Sequence, residues 1–227
     1  MLTDKKALLL DMNSTFMFGE DRFSESENFS KHHNSIGGTL PENELNKIII
    51  SAYKYLEVRY PDKKYRHNFP TVEEAIICVS NKKLEANEIA KIVDTFAFHE
   101  LGYIPCEYIE ALFKLKKKFT LAVVIDIWSP KKLWINTFKK AGIYEIFSAF
   151  SFSSDHRVVK PSPRPFEHVV RKLGMQKNEC IVIGDSSRRD LGGAKAAGID
   201  CILVGGAKDA QAVGEFSSLL ALPDVFG

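Results

Sequence analysis

The sequence has no run of about 18 apolar residues, so it predicts no membrane-spanning helix. Its start, Met1-Leu2-Thr3-Asp4-Lys5-Lys6, is charged, and the apolar run Ala7-Leu8-Leu9-Leu10 is too short for a signal peptide and ends in Asp11. Cysteine is scarce: Cys78, Cys106, Cys180 and Cys201 lie far apart and form no CxxC pair. They read as buried free thiols of a reducing compartment, which places the protein in the cytoplasm. Excess charge is lacking too. A formal net charge of +2 argues against nucleic acid or a membrane surface as partner. The basic cluster Lys114, Lys116, Lys117 and Lys118 reads as a solvated helix C-terminus, where cations complement the helix dipole. No internal repeat and no low-complexity segment breaks the chain.

What is present is 227 residues of ordinary globular composition, 45% hydrophobic and 26% charged, enough for one large domain or a core with a smaller insert. The residues fall into three zones. Ala7 to Leu10 is a continuous apolar run, as expected of a strand buried on both faces, and a polar cluster through Thr15 follows. From Phe16 to Tyr103 the pattern is helical. Thr39-Leu40-Pro41-Glu42 and Thr71-Val72-Glu73-Glu74 resemble capping boxes, Leu45, Ile48, Ile49, Ala52 and Tyr53 share a helix face, and Ile89, Ile92, Val93 and Phe96 share another. The third zone alternates strands (Phe119 to Ile125, Ile146 to Phe152, Cys180 to Ile183, Ile199 to Val204) with helices opened by Ser129-Pro130 and Ser162-Pro163 and closed by Gly198. Such alternation implies βαβ units and a parallel sheet, with ligands at the carboxyl ends of the strands.

Chemistry-bearing residues gather at those ends. The first strand delivers Asp11, the second Asp126, a loop presents Lys160, and the Cys180 to Ile183 strand delivers Asp185 with Asp190 five residues on. Carboxylates at buried strand ends are costly unless paired or bound to a metal. Asp11, Asp185 and Asp190 therefore call for a cation, and hard oxygen ligands without Cys or His point to Mg²⁺. Lys160 suits an anionic, phosphorylated substrate.

The order Asp11-x-Asn13-x-Thr15, second strand, Lys160-Pro161, Gly184-Asp185 and Asp190 resembles the four motifs of the haloacid dehalogenase superfamily, and the helical zone after the first motif resembles that family's cap. The resemblance implies an α/β fold with a Rossmann-like parallel-sheet core (residues 1–15 and 104–227) and a small helical cap (16–103). It implies a Mg²⁺-dependent phosphatase or phosphotransferase acting on a small phosphorylated metabolite, with Asp11 as nucleophile. Asp11, the Asn13 carbonyl and Asp185 would hold the metal, supported by Asp190, and Lys160 would neutralise the Asp11 and phosphate charges.

Two residues depart from the family pattern. Asn13 stands where the phosphatases carry a second aspartate, and an amide cannot cycle a proton near neutral pH. At the end of the second strand, where the family has a phosphate-binding Ser or Thr, stand Ile125 and Asp126. Ser129 could substitute there, but its place before Pro130 favours a helix cap. These departures keep a second reading open, a weakened, binding or regulatory protein. A third, hydrolysis of a carbon–halogen or carbon–phosphorus bond, matches the first motif less well. His32-His33 read as a surface loop, with no further Cys or His at ligand spacing. Trp128 reads equally as cleft lining or packing. Arg188 and Arg189 read as exposed loop arginines rather than phosphate ligands. Phe16, Met17 and Phe18 either shape an apolar pocket or pack beneath the cap.

Overall fold

A computed structural model of the chain describes residues 4–226. Strand β1 (Ala7–Leu10) opens it, and four helices follow: α1 (Phe29–Ser35), α2 (Glu42–Glu57), α3 (Val72–Val79) and α4 (Ala86–Glu100). The alternating half comprises α5 (Cys106–Lys116), β2 (Thr120–Ile125), α6 (Lys132–Lys140), β3 (Phe147–Phe152), α7 (Ser153–His156), α8 (Arg164–Leu173), β4 (Cys180–Gly184), α9 (Gly192–Ala197), β5 (Asp200–Leu203) and a two-residue β6 (Gly214–Glu215). The strands make one parallel sheet in the order β3-β2-β1-β4-β5-β6. The connections run outward in both directions from β1 and β4, so the crevice at the carboxyl ends of these two strands is the topological switch point.

Two apolar clusters cover the two sheet faces, sorted by the two-residue period of the strands. Leu8, Leu10, Leu121, Val123, Ile181 and Ile183 pack on one face with Phe16, Met17 and Phe138. Leu9, Ala122, Val124, Val182 and Leu203 pack on the other with Phe166 and Val169. Covering both faces is what makes β1 and β4 continuous apolar runs. A third cluster belongs to the helices after β1: Phe29, Leu45, Ile49, Ala52, Ile76, Ile92 and Phe96, joined by Val159. Where the chain leaves and re-enters the sheet unit, Phe18 and Tyr103 exchange backbone hydrogen bonds of 2.9 and 2.8 Å. Gly102 permits this approach, because a Cβ there would lie 2.5 Å from the Phe18 carbonyl oxygen.

Thr71 and Glu74 form the expected capping box on α3. The Thr39 box does not form: α2 starts directly after Pro41 with no side-chain cap, and the Thr39 N–H donates to Glu88 Oε1 at 2.9 Å. Ser129 caps nothing either. α6 begins at Lys132, the buried Ser129 Oγ has no partner, and the Ser129 N–H donates to Glu100 Oε2 at 2.9 Å. Ser162 Oγ does accept from the Arg164 N–H at the start of α8. His32 and His33 lie within α1 rather than a loop, and His33 is buried with Nε2 2.9 Å from Glu88 Oε1. The thiols divide: Cys180 and Cys201 are buried strand residues, whereas Cys78 and Cys106 are exposed, on α3 and at the start of α5. Among the described residues no helix is long and apolar enough to cross a membrane.

Candidate active site

Asp11 follows β1, and its N–H extends the ladder to the Ile183 carbonyl at 2.8 Å, fixing the carboxylate at the switch point. Lys160, only 2% exposed, reaches in from the loop before α8. Its Nζ lies 2.5 Å from Asp11 Oδ1 and 2.7 Å from Asp190 Oδ1. Asp190 also accepts the Ser186 N–H on Oδ2 at 3.0 Å. Its side chain tucks against the end of β4 because residue 184 is glycine: a Cβ there would lie 2.3 Å from Asp190 Cγ. Oxygens of Asp11, Asp185 and Asp190 come within 4.8 Å of one another. Asp185 Oδ1 is buried without a hydrogen-bond partner.

Burial raises the pKa of Asp11 above the usual carboxylate range, Lys160 opposes that, and Asp185 adds to it. Burial and the neighbouring carboxylates likewise raise Asp190 and Asp185. Burial would discharge Lys160, but Asp11, Asp190 and Asp126 together outweigh it and hold the ammonium charged. Three carboxylates around one lysine leave a negative surplus, and an orphaned buried oxygen among oxygen-only donors fits a hard divalent cation.

Asp11 and Lys160 open into a cavity of about 250 Å³ that Asn13, Ser14, Asp126, Trp128 and Arg189 also line, together with Glu20, Asp21, Tyr60 and Glu100. The structure therefore brings Asp11, Asn13, Lys160, Asp185 and Asp190 together. The Asn13 Oδ1 is buried and unpartnered. Asp126 faces the cavity, yet its Oδ2 is engaged by the Tyr60 hydroxyl at 2.6 Å and the Lys160 N–H at 2.9 Å. It acts as a strut between the helices and the Lys160 loop. That loop is clasped further by the Val159 N–H donating to the Arg66 carbonyl at 3.0 Å and the Phe69 N–H to the Arg157 carbonyl at 2.8 Å. Ile125 is buried in the apolar core, and Ser129 does not line the cavity, so β2 ends without an available hydroxyl. Trp128 does both things considered for it: it lines the cavity and packs against Tyr53, Tyr60 and Phe69. Phe16 and Met17 pack in the core, and Phe18 against Tyr108. Arg188 is exposed, whereas Arg189 turns to the cavity.

Glu20, Asp21, Tyr60 and Glu100 were not legible as site residues. Glu100 accepts the Trp128 and Ser129 N–H groups at 2.6 and 2.9 Å, a pairing across 28 and 29 positions that no local pattern marks. The polar run Gly19-Glu20-Asp21-Arg22 so soon after Asp11 was the one available hint.

The pattern of haloacid dehalogenase-like hydrolases matches residues 42–204. A pyrophosphatase of Halalkalibacterium halodurans is 31% identical over 184 residues, 75% of this chain and 80% of that protein. A glyceraldehyde 3-phosphate phosphatase of Methanopyrus kandleri is 24% identical over 197 residues, 86% of this chain and 81% of that one. A solved 2-haloacid dehalogenase from Pseudomonas syringae shares the fold with a TM-score of 0.65 at 19% identity over 98% of each chain. The chain belongs to the haloacid dehalogenase-like hydrolase family, with that family's Rossmann-like α/β fold.

Proposed function

We propose that the protein is a Mg²⁺-dependent phosphatase of small phosphorylated compounds, working in the cytoplasm, where exposed thiols such as Cys78 and Cys106 stay reduced. One observation carries the reading: Asp11, Asp185 and Asp190 converge at the switch point, with the buried ammonium of Lys160 paired to Asp11 and Asp190. The relatives named for phosphatase activity point the same way. Asp11, the Asn13 carbonyl and Asp185 would hold Mg²⁺, with Asp190 supporting. The ion would offset charge between the nucleophile and the phosphate. Residues 16–103 would be the cap and residues 1–15 and 104–227 the core, with the helices closing over substrate.

An Asp11 carboxylate oxygen attacks phosphorus as the bond from phosphorus to the leaving oxygen breaks, giving an aspartyl-phosphate and an alkoxide that takes a proton from solvent to leave as the alcohol. Water then attacks that phosphorus, releasing orthophosphate and restoring Asp11. Lys160 holds Asp11 in place and offsets its charge. Asn13 and the missing hydroxyl after β2 favour a second reading, a site that binds phosphate compounds and turns them over slowly.

Hydrolysis of an aryl and an acyl phosphate, with Mg²⁺ and with EDTA, tests the proposal. Turnover is expected with Mg²⁺, lost in EDTA and reduced at least 10³-fold in Asp11→Asn, of the order seen when a nucleophile is removed. Turnover that survives Asp11→Asn rules out the aspartyl-phosphate route. No turnover of either ester, in protein that still binds Mg²⁺, favours the second reading.

A further inference from the structure

Phosphate recognition needs donors, and the end of β2 supplies none from its side chains: Ile125 is apolar and Asp126 is an acceptor already in use. Two cations line the cavity, Lys160 and Arg189. Lys160 is committed to Asp11 and Asp190. Arg189 is not. Its approach to a carboxylate is 3.9 Å, from Nη2 to Asp185 Oδ1, beyond hydrogen-bond reach, and its side chain is 36% exposed. The turn that carries it is rigidly held, since Ser186 Oγ accepts the Arg189 N–H at 3.2 Å and the next residue, Asp190, is locked by Lys160 and the Ser186 N–H. The Tyr60 ring, fixed through its hydroxyl to Asp126, walls the guanidinium on one side with Cζ 5.8 Å from its centroid.

A planar five-donor fork on a fixed turn, facing the cavity beside the nucleophile, suits a tetrahedral oxyanion. We propose that Arg189 is the phosphate anchor of this site, filling the task that a hydroxyl after β2 would otherwise perform. The proposal rests on the phosphatase reading. The competing role for Arg189 is to balance Asp11, Asp185 and Asp190. In that role its loss would change Mg²⁺ affinity and leave phosphate affinity alone.

The test uses the full chain with saturating Mg²⁺. Orthophosphate binding is measured by calorimetry and, separately, by competition against aryl phosphate hydrolysis, in wild type, Arg189→Ala and Arg189→Lys. Charge-assisted hydrogen bonds of the usual strength predict orthophosphate binding about tenfold to a hundredfold weaker in Arg189→Ala, a parallel rise in KM, and partial recovery in Arg189→Lys. Mg²⁺ affinity, measured on the same proteins, is expected to stay level or tighten. Equal orthophosphate affinity in wild type and Arg189→Ala overturns the anchor while leaving the phosphatase reading standing. Wild type that neither hydrolyses the ester nor binds orthophosphate overturns both.

Discussion

Asn13 presents an amide to the cavity two residues beyond Asp11, with Oδ1 unsatisfied, where a carboxyl could pass a proton to a departing alkoxide. General acid–base catalysis contributes about 10²–10⁴-fold, and poor leaving groups depend on it most. Asn13→Asp is therefore expected to raise kcat for an alkyl phosphate such as glycerol phosphate toward that range while changing an aryl phosphate far less. Equal gains on both esters would show that position 13 does not face the leaving oxygen. Asp11, Lys160, Asp185 and Asp190 are legible only as a set, since any one aspartate taken alone reads equally as a helix cap or a turn residue, and the fold brings the three carboxylates within 4.8 Å of one another. Asp126 was legible as a site residue but not in its role. Its partner, the Tyr60 hydroxyl, comes from 66 positions away, and only the fold sets acceptor against donor.

At the scale of elements, the end of α4 carries two buried titratable groups with opposite pH responses. Burial lowers His99 to about 4, aided by Arg22 and His32. The folded imidazole stays neutral while the unfolded one gains a proton below about 6.5, so stability falls as pH drops from about 6.5 to 4. Burial raises Glu100 to about 7, with Asp21 adding, against the pull of the Trp128 and Ser129 amides. Here the unfolded carboxyl loses its proton near about 4.3 while the folded one keeps it, so stability falls as pH rises from there to about 7 and then levels. Glu100→Gln removes the second slope. In urea unfolding at pH 5 and pH 8, the stability of wild type relative to the variant is expected to fall by about 2–3 kcal/mol between the two. A constant difference would mean that Glu100 is ionised throughout in the fold. Capping shows the limit of local reading at this scale. Thr71 and Thr39 open similar sequence patterns, but only Thr71 caps, because Glu88 from α4 claims the Thr39 and Leu40 N–H groups. For Thr71→Ala, a loss of about 1 kcal/mol in the same assay is expected.

Across the whole molecule, the alternation of apolar strands with helices is enough to give the parallel sheet, whereas the strand order that sets the switch point between β1 and β4 is visible only in the fold. What the helices add to the site was not legible, because their residues meet the sheet only through long-range packing. Their contribution is largely acidic. Glu20, Asp21 and Glu100 come from the chain between β1 and α5, and with Asp126 they put four carboxylates around a cavity whose lining cations are Lys160 and Arg189. Glu20 Oε2 is buried there without a partner. At pH 8, above the values of about 7 and about 6 to which burial raises Glu100 and Asp21, a phosphate ester bearing a second anion would meet those walls as like charge, at about 1 kcal/mol for each contact near 4 Å even at the dielectric of water. At low ionic strength kcat/KM is expected to be about tenfold or more higher for phosphoethanolamine than for phosphoglycolate, two esters of similar size and opposite remaining charge. Salt near 1 M cuts the Debye length to about 3 Å and should narrow that gap, chiefly by raising the value for phosphoglycolate. If the two esters are turned over equally at low salt, the carboxylates of the wall are neutral or turned away when substrate is bound, and specificity must come from shape alone.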